Sequence, residues 1–218
     1  MRIDTFEGGP FAQNTSLLTC TATGTTVVVD PGHGTREVLR TLDPSGPPPE
    51  AVLLTHAHID HVDGIPLLVE RWPGLTIRMH PGAREFYEAA GEQASWFGLP
   101  PFELPPAVHD LEPGITLRYG REIELSVRYA PGHAPGHVIF MHEASHRVLV
   151  GDVVFHRSIG RTDLPGGDHE QLLESIRREI LSLPDDVELH PGHGPVTTVG
   201  VERRSNPFLQ GLAPEAGR

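Results

Sequence analysis

Thr55-His56-Ala57-His58-Ile59-Asp60-His61 follows directly on the apolar run Ala51-Val52-Leu53-Leu54 and precedes a stretch with helical spacing, Val62 to Trp72. Strand side chains alternate between faces, so four metal-competent groups in six positions cannot all point one way along an extended strand. In a tight turn at a strand end they can converge. Imidazole and carboxylate together are a donor set that zinc, iron and manganese accept.

Three other segments repeat this arrangement. Ala130-Pro131-Gly132-His133 follows Ser126–Tyr129, Gly151-Asp152 follows Arg147–Val150, and Pro191-Gly192-His193 follows Asp186–His190. Each places a His or Asp in a Gly/Pro turn after an apolar run, where loops from one sheet edge gather a site. A single glycine turn with a histidine is a weak signal. Four in series are specific.

Around these turns, alternation and β-branched runs predict strands near 2–6, 15–21, 25–30, 51–55 and 75–80, then a second strand-rich half from 115 to 155. Helices are predicted at 34–42, 62–72, from 81 onwards and at 169–182, the last with Asp168 as N-cap. The segment 91–113 has no period, and the residues after 190 read as a tail. No linker or compositional break separates the halves, so the expectation is one layered α/β domain over 1–218.

The 218 residues are 38% hydrophobic and 21% charged, enough to build a core and against disorder. A formal charge of −12 argues against a nucleic-acid partner, which would need clustered Lys and Arg. The start, Met1-Arg2-Ile3-Asp4-Thr5-Phe6, lacks an apolar signal core, and no stretch has the length of a membrane span, so a cytoplasmic protein without membrane association is expected. Cys20 is the one cysteine, which rules out an internal disulfide and a thiolate-based zinc site and reads as a core thiol.

Nearly end to end, the chain resembles the metallo-β-lactamase-fold hydrolases, and within them the short glyoxalase II-like branch. The resemblance is carried by Phe11-Ala12-Gln13-Asn14, Val29-Asp30-Pro31-Gly32, the 55–64 motif, 130–137, Gly151–Phe155, Ser158–Asp168 and Pro191–Thr198. It implies a four-layer αββα sandwich of two mixed β-sheets flanked by helices. It also implies two divalent metal ions, zinc first with iron or manganese as alternatives. One would be held by His56, His58 and His133 and the other by Asp60, His61 and His193, with Asp152 between them. His137 and His190 would then be supporting residues, and His33 would sit behind a ligand.

The activity implied is hydrolysis of a small-molecule thioester of the S-acylglutathione type by a metal-bridging hydroxide, with Asp60 orienting the water. Iron-dependent persulfide dioxygenation and lactone or ester hydrolysis are the alternatives. The basic C-terminal helical region with which full-length glyoxalase II grips glutathione is not expected in this chain. Arg161 is assigned to pinning its loop through Asp163, or to an anionic substrate. Trp96, Phe97 and Phe102 are candidates for a pocket wall, a lid or a dimer contact.

Overall fold

A computed structural model describes residues 1–212, apart from the side chains of Trp96 and His109; the expectation for Trp96 lies outside the described residues. The first half of the chain builds one six-stranded sheet. Its strands are β1 (Arg2–Gly8), β2 (Gln13–Thr19), β3 (Thr26–Val29), β4 (Ala51–Leu53), β5 (Ile77–Met79) and β6 (Val108–His109), in that spatial order. Pairing is antiparallel from β1 to β3 and parallel from β3 to β6. The parallel steps are crossed over by α1 (Thr35–Thr41), by α2 (Ile59–Val62) with α3 (Ile65–Arg71), and by α4 (Arg84–Gln93).

The second half builds a sheet from β7 (Thr116–Tyr119), β8 (Ile123–Tyr129), β9 (Val138–His142), β10 (Arg147–Gly151), β13 (Glu188–Pro191) and β14 (Thr197–Thr198), ordered β14-β13-β10-β9-β8-β7. A small hairpin, β11 (Val154–Phe155) with β12 (Ser158–Ile159), stands beside it, and α5 (His169–Glu179) and α6 (Val199–Ser205) complete the half.

Alternation explains the layering. Val27 and Val29 of β3 face the second sheet, in a core shared with Leu53, Leu125, Phe140 and Leu149. Val28, between them, faces outwards and packs with Val38, Val52, Leu68 and Tyr87 under the first sheet's helices. On the far side, Ile139, Met141, Val148 and Val150 meet Leu172 and Ile176 of α5 and Val199 of α6. Three apolar layers between four structural ones are the expected αββα sandwich. Among the described residues no helix is long and apolar enough to cross a membrane.

Three expectations change. The helix predicted over 62–72 is two: α2 covers part of the His/Asp motif itself, and it is separated from α3 at Gly64, whose N–H donates to Pro31 O at 2.8 Å instead of back into α2, and where a Cβ would lie 2.2 Å from Thr35 Oγ1. The tail contains α6, whose Thr198 hydroxyl accepts from Val201 N–H as an N-cap. Segment 91–113 holds the end of α4, a 3-10 turn at Ala94–Phe97 and β6. Asp168 caps α5 as expected, its carboxylate accepting from Gln171 N–H at 3.0 Å, and Cys20 is buried and free.

Direction completes the picture. β3 and β4 are parallel, as are β10 and β13, and β8 runs with β10 because both are antiparallel to β9. The segments that follow these strands carry Asp30, the 55–61 motif, His133, Asp152 and His193.

Candidate metal centre

The structure brings together every sequence-predicted ligand candidate. The donor atoms of His56, His58 and His133 lie within 4.8 Å of one another, and so do those of Asp60, His61 and His193. Asp152 stands between the two groups. Its Oδ2 is 3.4 Å from His133 Nε2 and 3.4 Å from His193 Nε2, and its Oδ1 is 3.4 Å from His61 Nε2. His56, His61, His133 and Asp152 are buried; His58, Asp60 and His193 are half-buried.

The outer nitrogens are held from behind, which decides which nitrogen faces inwards. His133 Nδ1–H donates to Arg161 O at 2.8 Å and His193 Nδ1–H to Phe11 O at 2.9 Å, so both Nε2 atoms turn into the centre. His56 is fixed by a relay. Thr55 Oγ1–H donates to Asp30 Oδ2 at 2.6 Å, and the same oxygen accepts from His56 Nδ1–H at 3.0 Å. Asp30 Oδ2 also lies 3.0 Å from His61 Nδ1. His137 stacks on His56 with centroids 4.8 Å apart, and its Nε2 accepts from Asp152 N–H, which matches the supporting role expected of it.

Asp30, Gln13 and Asn14 were missed as individual contributors. Asp30 follows the apolar run Thr26–Val29 and opens Pro31-Gly32, the same strand-then-turn signature as the other segments. Gln13 Nε2 donates to Asp30 O at 3.0 Å. Asn14 Nδ2 donates to Pro191 O at 3.0 Å and to Gly194 O at 2.8 Å, tying β2 to the His193 loop of the other sheet. No sequence signal marks these amides beyond their place in the resembling stretch.

The residues fit a pair of divalent cations. His56 Nε2, His61 Nε2 and Asp152 Oδ1 are buried without a hydrogen-bond partner, a costly arrangement that coordination would relieve. Burial and its neighbour His133 draw His58 down to about 3, and burial with the adjacent His61 draws His56 well below the usual imidazole range. Both are therefore held neutral, the form that binds metal. Around Asp60 and Asp152 the balance reverses. Burial opposes charge on His193, but hydrogen bonds to Asp152 and Asp60 push it up to about 10. His61 is raised in the same way by Asp152, Asp60 and Asp30 against its burial. This side of the centre attracts positive charge.

A close approach sets one backbone requirement. A Cβ on Gly192 would lie 2.1 Å from Asp152 Oδ1 and 2.7 Å from His61 Cε1, so only glycine fits before His193.

The other candidates separate clearly. Arg161 pairs with Asp163 through two hydrogen bonds of 2.7 and 2.8 Å, as expected of a pinned loop. His33 Nδ1 lies 2.6 Å from Asp63 Oδ2 in the ligand motif. Phe97 lines the cavity over the centre, whereas Phe102 packs under the first sheet's helices and lines a separate groove.

The profile of the Metallo-beta-lactamase superfamily matches residues 8–199. Hydroxyacylglutathione hydrolase GloC of Haemophilus influenzae is 36% identical over 212 residues, 96% of this chain and 98% of that protein. The crystal structure of TTHA1623 in a di-iron-bound form superposes with a TM-score of 0.84 at 40% identity, over 96% of this chain and all (100%) of that one. BLEG-1 B3 metallo-beta-lactamase gives 0.86 at 35%, with the same coverages of 96% and 100%. The profile match and the full-length likeness to GloC agree with the sandwich and its His/Asp clusters, and the chain belongs to the metallo-beta-lactamase superfamily.

Proposed function

We propose that this chain is a two-metal hydrolase that cleaves the thioester of a small thiol, with His56, His58 and His133 holding one cation, Asp60, His61 and His193 the other, and Asp152 shared. The observation that carries the reading is the position of Asp152, with carboxylate oxygens 3.4 Å from His133, His193 and His61 at once. The likeness to GloC, whose name specifies a hydroxyacylglutathione, supports the thioester. The di-iron form of TTHA1623 supports a pair of ions and keeps iron beside zinc and manganese as the metal.

When bound, the cations supply Lewis acidity that acidifies a water and polarises the substrate carbonyl. The chain's own groups supply position and proton handling. Asp60 faces the cavity with its Oδ2 3.2 Å from His193 Nε2. Burial raises its pKa, but His61 and His193 bring it down overall, so it stays an acceptor that orients the attacking water and takes its proton. The water oxygen bonds to the acyl carbon, the C–S bond breaks with its electron pair left on sulfur, and the thiolate leaves without a dedicated acid. A cavity of about 790 Å³ over the centre is the right size for a small molecule.

The test is a panel on protein loaded separately with zinc, iron and manganese: thiol release from S-lactoylglutathione and other acyl thioesters, opening of a lactone and a β-lactam, and oxygen uptake with a persulfide. Thiol release as the fastest reaction is expected. Silence on every thioester, with turnover in another arm, would replace this assignment.

A further inference from the structure

The walls of the cavity above the centre are built from phenylalanines that no sequence period connects. Phe86 on α4 stands edge-on to His58 with centroids 5.7 Å apart, and Phe155 on the β11–β12 hairpin stands edge-on to His193 at 5.8 Å. Phe97, from the turn after α4, meets Phe11 edge-on at 5.5 Å and closes the rim. Phe97 is 49% exposed and lines the cavity, so its ring offers apolar surface at the cavity mouth. Three separate elements and the turn before β2 thus point rings at the same space, and two of the rings touch candidate ligands directly.

Charge on the same walls is lopsided. Among the described residues lining this cavity, Arg161 is the one Lys or Arg, and its guanidinium is taken by Asp163. Glu85 adds a negative charge to the lining, and the chain as a whole carries −12. Apart from the metal centre itself, the described lining offers the carboxylates of a thiol such as glutathione no side-chain cation that is not already paired. The lactoyl group, three carbons with a hydroxyl, is far too small to contact all these rings.

From this, and resting on the thioester reading above, we infer that selection works on the acyl half of the substrate: the phenylalanine cage takes an apolar, ring-sized acyl group, and the thiol's carboxylates contribute nothing to recognition. Rings in edge-to-face geometry suit an aromatic acyl group best. Each methylene-sized piece of apolar surface in such a pocket is worth about tenfold or more in discrimination.

The experiment compares kcat/KM for four thioesters on the metal-loaded protein: lactoyl and phenylacetyl groups, each on glutathione and on uncharged N-acetylcysteamine. The phenylacetyl esters are expected to lead by about tenfold or more on both thiols, with glutathione giving no advantage over N-acetylcysteamine. In the variants Phe97→Ala and Phe155→Ala the phenylacetyl-to-lactoyl ratio is expected to fall about fivefold or more, mainly through KM, a change of ratio that general loss of folded protein cannot produce. Equal rates for the two acyl groups, or a clear preference for glutathione, would overturn the inference while leaving thioester hydrolysis intact. Absence of thiol release from all four would instead remove the thioester reading itself.

Discussion

Thr55 is outside the proposed ligand set, yet two charged or ligating neighbours depend on its hydroxyl. It donates to Asp30 and accepts from His56, so removing it frees the His56 ring and leaves a buried carboxylate short of a donor. Thr55→Val is expected to weaken metal binding about 10- to 100-fold in a chelator competition, and Thr55→Ser to restore it. Unchanged affinity in the valine variant would show that the relay is idle. Gly192→Ala is the complementary case, because its added methyl collides with Asp152 Oδ1. Metal content measured on the purified variant should fall below two ions per chain even where the fold, followed by circular dichroism, is retained. At this scale the compact motif from His56 to His61 was legible because its donors are neighbours in sequence. Asp30 was not, since an aspartate before Pro-Gly reads equally well as a turn former. The rings of Phe11, Phe86, Phe97 and Phe155 were illegible for a different reason: they meet only after both sheets are assembled.

Helix ends and short elements are where local pattern and tertiary context part company. The start of α5 was legible from Asp168, and Asp168→Ala is expected to cost about 1 kcal/mol in urea unfolding, with little effect on metal content. The helix α6 was hidden. Its anchor is Glu202, fully buried, whose carboxylate accepts from Arg157 N–H at 2.8 Å, Thr197 Oγ1–H at 2.5 Å and Asn206 Nδ2–H at 2.9 Å. A glutamate in Val199–Ser205 gives no hint from sequence that it faces inwards, because two of its partners come from the β11–β12 hairpin and β14 and only Asn206 from the end of its own helix. Glu202→Ala strands three donors, and a loss of about 2–4 kcal/mol is expected, far above the surface-substitution range. A stability within 0.5 kcal/mol of the parent would mean that water replaces the carboxylate without penalty. The split between α2 and α3 was equally hidden, since it turns on Gly64 N–H donating to Pro31 O, a partner far away in sequence.

For the molecule as a whole, the two-half order of strands and helices was the legible part, and it was enough for the layered architecture. The depth of coupling between halves was not, because it runs through the centre: His56, His58, Asp60 and His61 come from the first half, and His133, Asp152 and His193 from the second. Ions in the proposed centre would be held by both halves, and so would bind the folded chain and not the unfolded one. At a thousandfold excess over the dissociation constant that linkage is worth about 4 kcal/mol. For a chain of this size, stripping the ions with a chelator is therefore expected to lower Tm by about 10 °C, reversibly on metal return. A Tm indifferent to chelation would mean the halves are joined by their apolar layer alone.

The reagents of this protein and its selectivity are housed in different parts. The donors sit on strand ends rooted in the sandwich, whereas the rings that line the cavity above them belong to α4 and its following turn, the β11–β12 hairpin and the turn before β2. Under the proposed function, replacing one of those three peripheral pieces would redirect the same hydrolytic head to a new clientele while leaving the donors beneath in place. That makes them the natural cassettes for exchange, whether by drift among relatives or by grafting at the bench.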